Sequence, residues 1–166
     1  MEKVRFSKSQ AVKQLELMAD EAARQRYPNT PAEYIAPRKF RDDSANHLTK
    51  CIIHFLQLKG HQSERIANMG RQIDTRCTFA DVTGRTRTIG GTKWINGTGT
   101  NGTADISATI QGRSVKIEVK HGSDRQSEAQ RLYQSQVEQA GGIYVIANSF
   151  EQFYNWYNQT FTNGNH

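Results

Sequence analysis

A short apolar run in the C-terminal half of the chain carries two charged side chains, Glu118 and Lys120. Successive side chains of a β-strand point to opposite faces, so an extended backbone places Ile117 and Val119 on one face and the two charges on the other. A charge embedded in apolar surroundings is costly unless it is paired. A carboxylate and an ammonium group on one side of such a strand are therefore candidates for a reactive site.

A second carboxylate, Asp105, precedes this run in the segment Gly102-Thr103-Ala104-Asp105-Ile106. Strand-like residues flank Gln111-Gly112-Arg113, which predicts a β-hairpin with Asp105 beside Glu118. Two carboxylates at one point repel each other unless a proton or a cation intervenes, and hard oxygen ligands suit Mg²⁺ or Mn²⁺. The pattern alone is weak, because a solvated strand edge and a turn aspartate would give the same letters.

The elements around the hairpin follow from hydrophobic periodicity. Ser44 predicts the N-cap of a helix that ends at Gly60, and a short strand follows over residues 61 to 66. After the hairpin we expect a helix ending at Gly141-Gly142, a buried strand over residues 143 to 147, and a last helix capped by Ser149. The aromatic stripe of this last helix predicts core packing. The fold class is α/β, with a small mixed sheet flanked by helices.

The N-terminal part of the chain differs from the rest. Ala11, Leu15, Met18 and Ala22 recur at helical spacing, and a proline-containing connector follows from Pro28 to residue 43. We therefore expect residues 1–40 to form a helical extension outside the core, and residues 41–166 to form the main domain. The apolar face of that helix either packs on its own core or makes a dimer contact.

The charge balance favours a polyanionic partner, since the formal net charge is +6 and the pI is about 9.5. Basic residues are concentrated between residues 65 and 93, which predicts a DNA-facing flank. Its members are Arg65, Arg71, Arg85, Arg87 and Lys93. Beside them, Trp94 is either a base-stacking residue or a partly buried sheet residue. The glycine-rich stretch over residues 97–102 precedes a strand rather than a helix, so we expect a loop near the cleft and no dinucleotide site.

No apolar run approaches the length of a membrane span, and the first ten residues are too polar for a signal peptide, so we expect an intracellular protein without a membrane partner. Cys51 lies among apolar residues and is expected in the core. The spacing of Cys51 and His54 lacks a second pair that would complete a zinc site.

The ordered motifs resemble those of the PD-(D/E)XK nucleases, in particular the VRR-NUC and Holliday junction resolvase-like branches, including small phage nucleases. The segment around Asp105 is similar to their G-x-P-D element, with Ala104 in place of proline. Ile117-Glu118-Val119-Lys120 is similar to their I-E-V-K, and Ser127-Glu128-Ala129-Gln130 resembles their S-x-x-Q. The resemblance covers about residues 44 to 150 and implies a restriction-endonuclease-like core.

The resemblance implies a metal-dependent nuclease. Asp105, Glu118 and the carbonyl of Val119 would hold Mg²⁺ or Mn²⁺, while Lys120 and Gln130 would complete the catalytic set. Relatives often carry a glutamate on the first core helix, where this chain has Asn46, which is either a metal ligand or a structural residue of the first turn.

We expect cleavage of branched, junction or flap DNA by a homodimer, because a two-fold pair presents two sites to a two-fold junction. The alternatives are a catalytically idle DNA-binding subunit and an RNA-processing nuclease on the same scaffold.

Overall fold

The computed structural model describes residues 7–66, 70–95, 97 and 99–162, and these form an α/β structure with four α-helices and small sheets. The helices are α1 (Gln10–Arg26), α2 (Ala45–Leu58), α3 (Glu128–Gln139) and α4 (Phe150–Tyr157). A 3-10 turn spans Ala32–Tyr34, and α4 continues into a π-helical stretch over Asn158–Thr162. The strands are β1 (Gln62–Arg65), β2 (Arg71–Asp74), β3 (Cys77–Ala80), β4 (Thr86–Ile89), β5 (Thr92–Ile95), β6 (Ile106–Ile110), β7 (Arg113–Val119) and β8 (Ile143–Ala147).

The central sheet has the strand order β1-β6-β7-β8 and is mixed. The pairs β1–β6 and β6–β7 are antiparallel, whereas β7 and β8 are parallel and are joined through α3. Ile106 lies opposite Ile117, and both are buried on one face of the sheet. Because side chains alternate, Glu118 projects from the opposite face.

The apolar face of the sheet is covered by α1, α2 and α4, which share one hydrophobic cluster with it. Phe55 of α2 packs edge-on against Phe150, Phe153 and Tyr157, with ring centroids 4.9 to 6.3 Å apart. The prediction that the last helix contributes an aromatic stripe to the core is confirmed. The predicted N-caps are confirmed as well, since the Ser44 and Ser149 side chains accept hydrogen bonds from the first turns of α2 and α4.

The expectation that the first helix stands outside the core is wrong. Val12 and Leu15 of α1 are fully buried in the same cluster as α2 and α4. The connector is tied to this helix, because Glu16 Oε1 accepts a hydrogen bond of 2.7 Å from the Phe40 backbone amide. Of the two alternatives for the apolar face of α1, packing on the chain's own core is therefore the one observed. The division of the chain into two regions at residue 40 stays a prediction.

Residues 70–95 form a long two-stranded ribbon, called the β-arm below. Strand β2 pairs with β5 and β3 pairs with β4, and both ladders follow a single antiparallel register. Every residue of β3, β4 and β5 is exposed, and the described β-arm contributes nothing to the hydrophobic core. These strands form a separate ribbon rather than part of the central sheet.

Within the residues that the structure describes, α3 is the helix on the other face of the sheet, and it covers that face incompletely. No residue of α3 is fully buried, and the apolar side chain of Leu132 is largely exposed. Strand β8 is mostly half-buried rather than buried, since α3 covers it loosely. No helix in the described ranges combines the length and the apolar character that crossing a membrane requires.

Candidate active site

The β6–β7 hairpin brings Asp105 next to the end of β7. Its turn has positive φ angles at Gln111 and Gly112 (48° and 76°), as a tight hairpin with a right-handed twist requires. Asp105 directly precedes β6, and its Oδ2 accepts a hydrogen bond of 2.9 Å from the backbone amide of Val119. This bond fixes the Asp105 carboxylate beside Glu118, as the sequence predicted.

Glu118 and Lys120 lie next to each other on the polar face of the sheet and are almost fully buried, with 2% and 6% exposure. Lys120 Nζ lies 3.1 Å from Glu118 Oε1. An ion pair removed from water to this extent persists only when further hydrogen bonds satisfy it. Those bonds come from side chains outside the hairpin.

Gln130 reaches this pair from the first turn of α3. Its Nε2 donates a hydrogen bond of 2.5 Å to Glu118 Oε1, and its Oε1 accepts one of 3.0 Å from Lys120 Nζ. The orientation of the amide is set by a capping box, in which Gln130 Oε1 also accepts the Ser127 amide and Ser127 Oγ accepts the Gln130 amide. The capping motif thus serves both the start of α3 and the alignment of the ion pair.

Two further side chains complete the network, and the sequence did not single them out. Tyr144 Oη of β8 donates to Glu118 Oε2 at 3.4 Å, and Asp124 Oδ2 lies 3.3 Å from Lys120 Nζ. Tyr144 could have been found from alternation, since it lies opposite Lys116 in the β7–β8 register and shares the polar face. Asp124 lies in a polar loop where the sequence carries no comparable signal.

The electrostatics of the site follow from burial and proximity. Burial raises the pKa of Glu118 above its ordinary value, and the charge of Asp105 raises it further, although the hydrogen bond from Lys120 works in the opposite direction. Burial alone would lower the pKa of Lys120, but its hydrogen bonds and charge interactions with Glu118 and Asp124 outweigh burial and raise it. Burial and the negative charge of Glu118 also raise the pKa of Tyr144. Lys120 is therefore a cation at neutral pH and Tyr144 a neutral donor.

The donor set at this point fits a hard divalent cation. Asp105 and Glu118 supply carboxylate oxygens that are close enough for one charge to disfavour the other. Within the described ranges, no group of three or more His, Cys, Asp or Glu side chains could hold a metal ion. Mg²⁺ is often bound through only one or two carboxylates and retains several waters, so two carboxylates are a sufficient anchor for it.

The five residues of the predicted basic flank lie on two different parts of the structure. Arg71, Arg85, Arg87 and Lys93 lie on the β-arm, whereas Arg65 lies on β1 in register with Ile106. That register places Arg65 on the sheet face opposite to Glu118. The structure therefore groups four of these residues together and separates the fifth.

The loop after the β-arm lies beside the candidate site, as predicted. A cavity of about 570 Å³ is lined by Gly70 and Gly97 at the base of the β-arm, by the 99–103 loop and by Gln130. Gly102 has a φ of 78°, and a Cβ there would lie 2.3 Å from the Ala129 backbone, so the loop packs directly on the start of α3. The base of the β-arm and the N-terminus of α3 therefore both border the cavity that Gln130 lines.

Two other candidate residues fall outside this network. Asn46 is exposed in the first turn of α2, and in the described part of the chain no hydrogen bond joins it to Asp105 or Glu118. Trp94 lies on β5 of the β-arm, in agreement with its reading as a sheet residue, and its side chain is 60% exposed.

Comparisons of this chain with protein families, with curated proteins and with solved structures gave no match.

Proposed function

We propose that this protein is a metal-dependent endonuclease that hydrolyses phosphodiester bonds in DNA, with Asp105, Glu118, Lys120 and Gln130 as its catalytic site. The observation that carries the proposal is the buried network in which two carboxylates and one lysine converge beside an open cavity. A structural role explains such a network poorly, because an apolar substitute of similar volume is often equally stable. The resemblance to PD-(D/E)XK motifs points to the same chemistry.

In this proposal Asp105, Glu118 and the Val119 carbonyl hold Mg²⁺ or Mn²⁺. The bound ion would polarise the scissile phosphate and lower the pKa of a water molecule. Lys120, a cation held at a fixed position, hydrogen bonds to the oxygen on which negative charge develops. Gln130 keeps Glu118 and Lys120 in place through its two hydrogen bonds. Tyr144 donates to the second Glu118 oxygen and limits the rotation of its carboxylate.

The proposal is tested by incubating the purified protein with plasmid, linear, single-stranded, flapped and four-way DNA, with Mg²⁺, Mn²⁺ or EDTA. We expect cleavage that requires the metal and favours branched substrates. Asp105→Asn, Glu118→Gln and Lys120→Ala should each reduce the cleavage rate by about 100-fold or more, because each removes a group that acts on the transition state. DNA affinity measured in EDTA should change little.

Matched controls separate catalysis from folding and contamination. Lys116→Ala removes a lysine from the same strand whose Nζ binds Ser107 outside the site, and Glu151→Gln neutralises an exposed carboxylate of α4. Both should retain the wild-type cleavage rate. Unchanged cleavage by Glu118→Gln would remove the site assignment, and metal-independent DNA binding without any cleavage would favour a catalytically idle subunit.

A further inference from the structure

The β-arm concentrates exposed apolar surface to an extent that its own stability does not explain. The large apolar side chains exposed in the described ranges number nine, and five of them lie on the arm. These five are Phe79, Val82, Ile89, Trp94 and Ile95. A two-stranded ribbon is only marginally stable in water, and clustered exposed apolar residues usually mark a binding surface.

The charged side chains of the β-arm also indicate a binding surface. Asp74 and Asp81 are its two acidic residues, and each is neutralised within the arm, by Arg76 and Arg87 respectively. Three further cations, Arg71, Arg85 and Lys93, form no ion pair or side-chain hydrogen bond within the described ranges. The arm therefore offers an excess of unpaired positive charge to a partner.

The strand register sorts these side chains by face. Lys93 lies opposite Ile73 and Arg71 opposite Ile95, so both cations share a face with isoleucines in the β2–β5 ladder. In the β3–β4 ladder, Phe79 lies opposite Arg87 and shares its face with Ile89. The opposite faces carry Gln72, Asp74, Thr92 and Trp94 in the β2–β5 ladder and Thr78, Ala80, Thr86 and Thr88 in the β3–β4 ladder. Thr78 and Thr88 hydrogen bond to each other across the ribbon. One face of each ladder is thus both basic and apolar.

The dimensions of the arm match those of a DNA groove. Ten residues of each strand, 71–80 and 86–95, extend from its base to its tip. At about 3.3 Å per residue they span roughly 30 Å, close to one turn of B-form DNA. The major groove of DNA admits a two-stranded ribbon, whereas that of an RNA duplex is too narrow and deep.

We infer that the β-arm binds double-stranded DNA. In this arrangement Arg71, Arg85 and Lys93 contact phosphates, and Phe79 and Ile89 pack against the groove. The inference rests on the proposed function for its choice of DNA as the ligand. Because the base of the arm borders the same cavity as Gln130, a duplex held along the arm enters the molecule beside the candidate active site. The arm thereby selects duplex over single-stranded DNA.

The test measures binding of labelled duplex, single-stranded DNA and duplex RNA of one sequence in EDTA, over a series of salt concentrations. EDTA separates this inference from the proposed function, because binding does not depend on cleavage. We expect the full chain to prefer duplex DNA over both other ligands. The triple variant R71A/R85A/K93A should bind duplex DNA roughly 10- to 100-fold more weakly, and its slope of log affinity against log salt should be flatter by about 3.

Two control variants separate the loss of specific contacts on the β-arm from the loss of net charge. Lys13→Ala, Lys50→Ala and Lys59→Ala together remove the same charge from exposed positions of α1 and α2 and the residue after α2, on the far side of the sheet. Asp74→Asn with Arg76→Gln removes the paired charges of the arm and leaves its net charge unchanged. Both should bind duplex DNA nearly as the wild type does. If the helix variant lost as much duplex affinity as the arm variant, net charge alone would explain the effect, and the inference would be overturned.

Two further variants test the apolar contacts and the arm as a unit. Phe79→Ala should lower duplex affinity several-fold without changing the salt slope, because it removes no phosphate contact. A chain with residues 76–90 replaced by an Asn-Gly turn should keep the wild-type unfolding midpoint, since no core residue is removed, and should lose the preference for duplex DNA. Retention of that preference, or stronger binding of duplex RNA by the full chain, would overturn the inference.

Discussion

Glu118 combines nearly complete burial with a neighbouring carboxylate, and among the described residues its charge is offset by Lys120. Its raised pKa means that the folded chain holds the ionised form less favourably than the unfolded chain does. Such a residue costs stability in the absence of a cation. This is the expected behaviour of a site whose geometry serves binding or catalysis at the expense of the metal-free fold.

We predict that Glu118→Gln raises the unfolding midpoint of the metal-free protein at neutral pH by about 2–4 °C, the shift that about 1 kcal/mol produces in a domain of this size. A neutral amide avoids both the burial of a charge and the repulsion from Asp105. Thermal unfolding in EDTA measures this, with Glu151→Gln as the exposed control, which should leave the midpoint unchanged. A lower midpoint for Glu118→Gln would mean that the lost ion pair with Lys120 outweighs the relief of burial.

The turn at the tip of the β-arm is organised around the Asp81 carboxylate. Asp81 accepts hydrogen bonds from the backbone amides of Thr83 and Arg85 and from the Arg87 side chain. Together with the Thr83 hydroxyl, these donors lower the pKa of Asp81 to about 2. The tip is therefore held by an ionised aspartate.

We predict that the tip stays ordered as the pH falls below the ordinary aspartate value and loosens only near pH 2. A group whose pKa is lowered in the folded chain stabilises it above the ordinary pKa, and this contribution is lost as the pH falls through the lowered value. NMR titration of the Asp81 carboxyl measures the pKa directly. Loss of the backbone signals of Thr83 and Arg85 should follow the same curve, and a pKa near 3.8 would contradict the prediction.

Helix α1 belongs to the core, so its buried positions should matter for folding as those of α2 do. Leu15 is fully buried in the common cluster, whereas Leu17 on the same helix is 64% exposed. We predict that Leu15→Ala lowers the free energy of unfolding by about 2–5 kcal/mol, because it leaves a cavity that the core fills only in part.

Urea unfolding at a fixed m-value measures this loss. Leu17→Ala is the matched control, since the same atoms are removed from the solvent side of the same helix, and its effect should stay within about 0.5 kcal/mol. Similar values for the two variants would contradict the packing of α1 against α2 and α4.

At the scale of the whole molecule, the chain has a helical side that holds the core and an opposite side that carries the candidate site and borders the base of the β-arm. The buried face of α1 is used within the chain and is not free for a partner. Any dimer contact would therefore have to use another surface.

We predict that two copies of the chain act together on four-way DNA, because one site cuts one strand in each binding pose. Light scattering of the protein alone and with four-way DNA, over a range of concentrations, measures the stoichiometry. A strict monomer on four-way DNA would exclude the dimer and favour nicking or flap trimming. Alanine at Leu15 should not change the stoichiometry of the folded protein, since this residue is internal.

The sequence by itself determined the parts of the molecule that depend on neighbours along the chain. Alternation and a tight turn predicted the β6–β7 hairpin and placed Asp105 beside Glu118 and Lys120, and serines at helix starts predicted the caps of α2 and α4. Gln130 was singled out through the resemblance of Ser127-Glu128-Ala129-Gln130 to S-x-x-Q. Its capping motif is local, whereas its bonds to Glu118 and Lys120 join separate segments. These features are short-range, so residue order is sufficient to specify them.

Only the tertiary structure decided what distant segments do to one another. It packed α1 into the core and exposed Leu132 on α3. It also joined Tyr144 of β8 and Asp124 of a polar loop to the site, which required the pairing of segments that are distant in sequence. It also set the β-arm apart, because the apolar side chains that alternate along its strands are left exposed, whereas those of the central sheet are buried under helices. Burial is a property of the assembled chain, and a side chain's own type does not determine which surface comes to cover it.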